Sequence, residues 1–545
     1  MPAKELRFRS EARAALQRGA DAVAGTVSVT LGPRGRAVVL DKKFGPPVVT
    51  NDGVTIARDL EFKDHFENMG AQLIKEVAIK TNDVAGDGTT TATVLARAMI
   101  HEGLRNLAAG ASPTELKRGM LEATDAAIAD IRKRSHAVDG RDDIQRVATI
   151  SSGDAEMGRM IAEAFDKVGR EGVVSVEDGT GLDTEVEVVE GMQFDRGYVS
   201  PYMVTDQQNM EAVLSDPRVL VTDGKISAVN DLLPALELVM QAGRPLLIIA
   251  EDVTAEALAT VVVNRIRGTF TAIAVKAPAF GERREAILQD IAVLTGATVV
   301  SEKTGLRLDA VRDDQLGSAG RATITKEDTT IVRGGGSRAA IDARAAEIRQ
   351  QVEETTSDWD REKLQERLAR LTGGVAVIKV GAATEVELKE RKARVEDALA
   401  ATRAAIEDGV VVGGGVALLR ARPAVEAIRL ESDARTGASI VARALSEPLR
   451  IIASNAGAEG GVAVNRVAEE SGDFGFDAES ESYGNLSERG VIDPTKVVIT
   501  ALTNATSIAT MLLTTDALIA DAPEKEEPAA GGHSHGGMDD DDMDY

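Results

Sequence analysis

The chain has 545 residues, with 63 Lys and Arg against 88 Asp and Glu, a formal net charge of −25. At about 150 residues per domain this length holds roughly three to four domains, and an acidic excess of this size argues against wrapping nucleic acid, which needs concentrated Lys and Arg. The absence of cysteine excludes disulfides, thiolate nucleophiles and Cys-ligated zinc, while 43% hydrophobic but only 3% aromatic residues require cores of Ala, Val, Leu and Ile.

Residues 1–9 carry no apolar signal segment, and apolar runs such as Leu246–Ala250 are too short to cross a bilayer, so a soluble, cytoplasmic protein is expected. Residues 1–135 are Ala-rich and helix-periodic, with Gly-rich turns. The first such turn, Thr30-Leu31-Gly32-Pro33-Arg34-Gly35-Arg36, reads either as a phosphate loop or as a helix C-cap and turn. Asp52, in Val49-Thr50-Asn51-Asp52-Gly53, reads as a turn residue.

The strongest local signal is Asp83-Val84-Ala85-Gly86-Asp87-Gly88-Thr89-Thr90-Thr91. Glycines around an aspartate let backbone approach a ligand, and three hydroxyls at a helix start add donors beside free N–H groups. Phosphate suits that arrangement, with Asp87 holding its Mg²⁺; the alternative is an ordinary helix N-cap.

The middle of the chain changes character. Residues 245–301 read strand, helix, strand, helix, strand, which implies an α/β module with parallel pairing. In the helix-like stretch 231–242, Leu233, Leu236 and Met240 share a side while Leu238 faces away; in the next helix Leu258 and Val262 share a face that Val263 leaves. One buried stripe cannot cover all of these. Either the helices are buried on two sides, or they present an apolar groove to partner proteins.

Residues 385–520 are again Ala-rich and helical, so the α/β middle reads as an insertion between helical ends. A helix over 385–408 places Leu388, Val395, Leu399 and Ile406 on one stripe, with Asp397 about 180° from Leu388, the position of a solvated acid. Gly409-Val410-Val411-Val412-Gly413-Gly414-Gly415 admits a flat ligand, a close helix or a linker. The Walker and Gly-x-Gly-x-x-Gly patterns are absent, which removes the main support for P-loop and Rossmann readings. Residues 521–545 hold nine acids and one base, −8 of the −25, and read as a disordered tail; His533 and His535 there allow a minor metal-binding alternative.

Taken together, Thr30 to Arg36, Asn51-Asp52-Gly53-Val54-Thr55, Asp83 to Thr91, Gly373-Gly374-Val375-Ala376-Val377-Ile378-Lys379-Val380-Gly381-Ala382-Ala383-Thr384-Glu385, Arg394-Val395-Glu396-Asp397-Ala398 and Asp493-Pro494-Thr495-Lys496 stand in the order and spacing of the bacterial group I chaperonins. The chain resembles that GroEL family over essentially residues 3–522. The resemblance implies a multidomain subunit, α and α/β: a helical equatorial ATP-binding domain (1–133 and 408–522), a small hinge-like intermediate domain (134–190 and 376–407), an α/β apical domain (191–375) and a flexible tail (523–545). It further implies a chaperonin ATPase that captures non-native clients and encloses them, in two stacked seven-membered rings, under a GroES-type co-chaperonin.

By matching motif, the resemblance makes Thr30, Leu31, Gly32 and Pro33 the nucleotide loop, Asp87 the Mg²⁺ ligand and Gly88, Thr89, Thr90 and Thr91 the phosphate holders. Backbone at Thr30 and Asn51 would lie near K⁺. Gly414, Ala478 and Asp493 would surround the nucleoside of ATP, while Asp397 activates the attacking water with Asp52 assisting, once a hinge brings Asp397 in. Tyr198, Tyr202, Met203, Leu233, Leu236, Leu258, Val262, Val263 and Asn264 would form the client and lid surface. Three departures stand out: the His/Asp-rich tail, Asp408 where Glu is usual, and Asp477 where Asn is more common. A paralogue with altered assembly, acting as an ATP-regulated holdase or scaffold, is the alternative.

Overall fold

A computed structural model of the chain describes residues 3–42, 47–138, 140–169, 172–179, 181–207, 210–355 and 357–522. The acidic tail expected over 523–545, with His533 and His535, lies outside them. The chain opens with α1 (Arg9–Ser28), α2 (Gly53–Asp59), α3 (His65–Ala85), α4 (Thr89–Ala108) and α5 (Pro113–Arg134), followed by α6 (Gly140–Ser152) and α7 (Ala155–Val168). A sheet-rich stretch then carries α8 (Leu233–Ala242), α9 (Ala255–Ile266), α10 (Gly281–Thr295), α11 (Arg338–Glu354) and α12 (Asp358–Thr372). The long α13 (Glu385–Asp408) leads to α14 (Val416–Glu426), α15 (Ser432–Ala444), α16 (Glu447–Asn455), α17 (Gly460–Glu469) and α18 (Thr495–Leu513).

Buried side chains gather into three main clusters. The first, a helical body, draws on residues 12–131 and 411–520, so the two ends of the chain share one core. Its helices pack with little between them: a Cβ on Gly19 would fall 1.8 Å from the Glu67 carbonyl oxygen, and one on Gly70 would fall 2.0 Å from that of Leu16. Gly119 and Gly437 make the same reciprocal contact between α5 and α15. Small residues at these crossings let the helix backbones touch, which is how a chain so poor in aromatics reaches a dense interior. Strand Lys4–Phe8 pairs antiparallel with Ala517–Asp521, tying the ends together. Contrary to the expectation of short apolar runs only, α18 has the length and composition of a membrane span, at a mean hydropathy of 1.4, but 67% of that window is buried in this core.

The second cluster spans residues 192–371 around an eight-stranded sheet. Strands Arg218–Thr222, Leu246–Ala250 and Ala272–Lys276 run parallel, with α9 and α10 following the last two. The alternation expected over 245–301 is therefore present. The antiparallel half, in which Thr329–Gly334 lies between Gly317–Ile324 and Gly191–Phe194, had no counterpart in the sequence pattern.

The third cluster, a connecting body, joins α6, α7 and α13 to strands Val173–Asp178 and Val375–Val380. Two chain passages lead from it to the helical body, and they are bonded to each other: His136 and Val410 exchange backbone hydrogen bonds of 3.0 and 2.8 Å. On its other side, the Arg333 guanidinium reaches Glu177 at 3.0 Å, across to the sheet body.

Candidate functional site

Two helix starts meet in the helical body. Helix α4 begins at Thr89 after Gly88, whose φ of 78° only glycine holds without strain, and no side chain caps it. The ordinary N-cap alternative for this motif is thus not the arrangement found. Thr89, Thr90 and Thr91 lie within the first turn, where backbone N–H groups have no intrahelical partner. Opposite stands α2, capped by Asp52, which accepts hydrogen bonds from the Val54 and Thr55 N–H groups at 3.1 and 2.9 Å. Gly53 seats against the threonines so closely that a Cβ would fall 2.5 Å from Thr90 Oγ1. Thr30 Oγ1 is 3.4 Å from the same oxygen, which brings the 30–36 turn to the two helix starts.

Carboxylates surround this point. Asp87 accepts the Gly88 N–H on one oxygen and the Ser151 hydroxyl, at 2.8 Å, on the other. Burial raises its pKa, the two donors pull it back, and Asp52 pushes it up again; the balance is a raised value. Asp397 is held well above the ordinary carboxylate range by burial first, then by Asp52, Asp87 and Glu396. Asp493 is raised to about 7 by burial and by Asp87. Among the described residues, the groups acting on these three acids include other carboxylates but no Lys or Arg.

Asp397 is therefore not the solvated acid its helical position implied. It sits opposite the buried Val395 and Leu399 of its own helix, and on its own side Ala404, two turns on, is buried with Ala85 and Val497 of the helical body. A Cβ on Gly86 would lie 2.2 Å from that of Ala400, so α13 rests directly on the loop that carries Asp87.

The far wall comes from the C-terminal half. A Cβ on Gly414 would lie 3.0 Å from Leu486 and 3.9 Å from the Phe476 carbonyl oxygen, Asp493 lies against Gly413, and Ala478 is buried. Asn455 donates to the carbonyls of Ser28 and Leu31 at 3.0 and 2.9 Å, and Arg34 donates to the Glu479 carbonyl at 2.9 Å. The Asn455 bonds fix Leu31 to the end of α16, and the Arg34 bond ties the 30–36 turn to the 477–481 turn. Asp477 spends its carboxylate on that turn, accepting from Glu479 and Ser480 N–H groups and from Arg489. Ser151, Asn455 and Arg34 were not singled out from sequence, because their partners lie 64, 424 and 445 residues away. Asn51 is exposed at the edge of a cleft of about 420 Å³, lined also by Gly35, Thr50 and the start of α13.

In the sheet body the expected apolar surface divides. Tyr202 is 70% exposed, and Leu233 and Val263 are exposed at 42% each. Leu258, Val262 and Asn264 are half-buried, and Asn264 donates to the Thr260 carbonyl of its own helix. Tyr198, Met203 and Leu236 correct the expectation: they are buried, Met203 completely, in the core beneath the surface. Met203 packs its sulfur against the Ala274 N–H in the parallel sheet, so it supports the face without forming it. Ile266, 65% exposed, and Met240, 51% exposed, belong to the same helices as Val263 and Leu233.

The chain matches the model of the TCP-1/cpn60 chaperonin family over residues 23–523. The match covers most of its length, and the protein belongs to that family.

Proposed function

We propose that this chaperonin is an ATP-driven folding chamber whose helical body is the equatorial domain, connecting body the intermediate domain and sheet body the apical domain. The observation that carries the reading is the uncapped start of α4 beside a cluster of carboxylates on which no Lys or Arg acts among the described residues. Helix starts attract phosphate, whereas the acids repel it. Only an anion that brings its own cation satisfies both, and Mg²⁺–ATP is such a ligand.

Among the described residues no three His, Asp or Glu side chains form a metal cage. Mg²⁺ takes one or two carboxylates and completes its shell with phosphate oxygens and water, so Asp87 beside the uncapped start of α4 suits it. Asp87 would hold it, and the metal would supply charge neutralisation at the phosphates. Gly88 and the three threonines would bind phosphate through N–H and hydroxyl donors. Thr30 and Asn51 would offer backbone oxygens to K⁺, and Gly414 and Ala478 would close on the nucleoside. Asp397 would take a proton from the attacking water, with Asp52 orienting that water. The raised pKa of Asp397 belongs to a cluster without a cation; charge balance at Asp87 would return it to the ionised form a base requires.

The exposed face of α8 and α9 with Tyr202 would capture non-native clients, which share apolar side chains but no sequence. A GroES-type lid on the same face would release the client into the cavity of a double seven-membered ring in the cytoplasm. The catalytic assignment is tested by Asp397→Ala: ATP binding within about threefold of wild type, with hydrolysis slowed at least about 100-fold. Turnover near the wild-type rate would overturn it.

A further inference from the structure

Helix α9 begins against the segment that leads into α8, with the Thr254 and Ala257 N–H groups on the Ile226 and Ser227 carbonyls at 3.0 and 3.2 Å. The two helices also end beside each other, because each feeds a strand of the parallel pair in which Leu246 stands opposite Ala272. The exposed apolar face they form with Tyr202 therefore has two distinct ends. Asp231 and Glu256 stand at its start, and Arg244, Arg265 and Arg267 at its finish. Among the described residues none of these three arginines pairs with a carboxylate, whereas Arg218 and Arg284 of the same body pair with Asp313 and Glu251.

We propose that this cationic end makes the face selective for extended client segments in which an aliphatic run adjoins Asp or Glu, with Arg265 as the residue that takes the carboxylate. The inference rests on the client-surface reading above. Arg265 falls seven residues after Leu258 and three after Val262, on their side of α9. Its Nη1 donates to the Tyr202 carbonyl at 2.7 Å, and its Nε is buried without an acceptor, so the folded chain leaves this half-buried charge unbalanced. A helix C-terminus alone would favour a cation here. It would not tie that cation to the carbonyl of a residue whose own side chain is 70% exposed on the client face. The chain as a whole, at −25, repels an acidic segment at long range, so the selectivity is local, set by contact with a guanidinium already held in place.

The test is fluorescence anisotropy of a pair of labelled peptides on the full-length, nucleotide-free protein: a Leu-Val run followed by Glu residues, and the same peptide with Gln in their place. Wild type is expected to bind the Glu peptide about fivefold more tightly, the scale of one partly exposed ion pair. Arg265→Gln is expected to bring that ratio to about one, and Arg265→Lys, which keeps the charge, to leave the Glu peptide the tighter of the two. The ratio is the readout, because a folding defect weakens both peptides alike. A Gln peptide bound by wild type as tightly as the Glu peptide, or more tightly, would overturn the selectivity; if Val263→Ser still weakens both, the client surface stands. A ratio that survives Arg265→Gln would overturn the assignment to Arg265. A wild-type protein that binds neither peptide would overturn both readings.

Discussion

Asp493 shows how burial and charge combine at one residue. Its carboxyl lies against Gly413 at the far wall and is raised to about 7 by burial and Asp87. Unfolded, the same group titrates near 3.8. The folded state therefore binds this proton more tightly, so its contribution to stability is full below about pH 3.8 and is lost as pH rises through about 7. Asp493→Asn mimics the protonated form. In the nucleotide-free protein it is expected to raise Tm by about 2–4 °C at pH 8, the size of a 1 kcal/mol effect in a domain of 150–250 residues, and by much less at pH 5. Scanning calorimetry at the two pH values checks this, and equal shifts at both would count against the raised pKa.

At the scale of elements, α13 matters most. Its apolar stripe was legible in sequence: Val395 and Leu399 are buried and Leu388 and Ile406 pack beside them. The environment of Asp397 was not, because periodicity identifies the face turned to a helix's own core and is silent about a second body arriving from 310 residues earlier. The motif at 83–91 was legible as a glycine-led helix start with three threonines in its first turn, because glycine at φ 78° and clustered hydroxyls are local features. Met203 and Leu236 were misjudged for the converse reason: apolar side chains read alike in sequence whether they cover a core or fill it. The seating of α13 on the Asp87 loop depends on two small residues, Gly86 and Ala400. Ala400→Leu is expected to hold the helix off that loop, leaving nucleotide affinity within about threefold but lowering hydrolysis about 100-fold, the effect of misplacing a catalytic group by an ångström. Unaltered single-turnover hydrolysis would show that the contact is dispensable.

In the whole molecule, a length that holds three to four domains is organised as three packed bodies, nested because the chain leaves the helical body, passes through the connecting body to the sheet body and returns. Nesting was legible as helical ends around an α/β middle. The paired passages at His136 and Val410 were not, since a two-residue bridge leaves no pattern. Paired passages suit a hinge that turns as a unit, and such a hinge would couple the carboxylates at one end to the apolar face of α8 and α9 at the other. The most direct measurement is electron microscopy of the purified protein with and without ATP and a GroES-type co-chaperonin. The account predicts double seven-membered rings that become capped only when ATP is added. Monomers, or rings that ATP leaves uncapped, would contradict it.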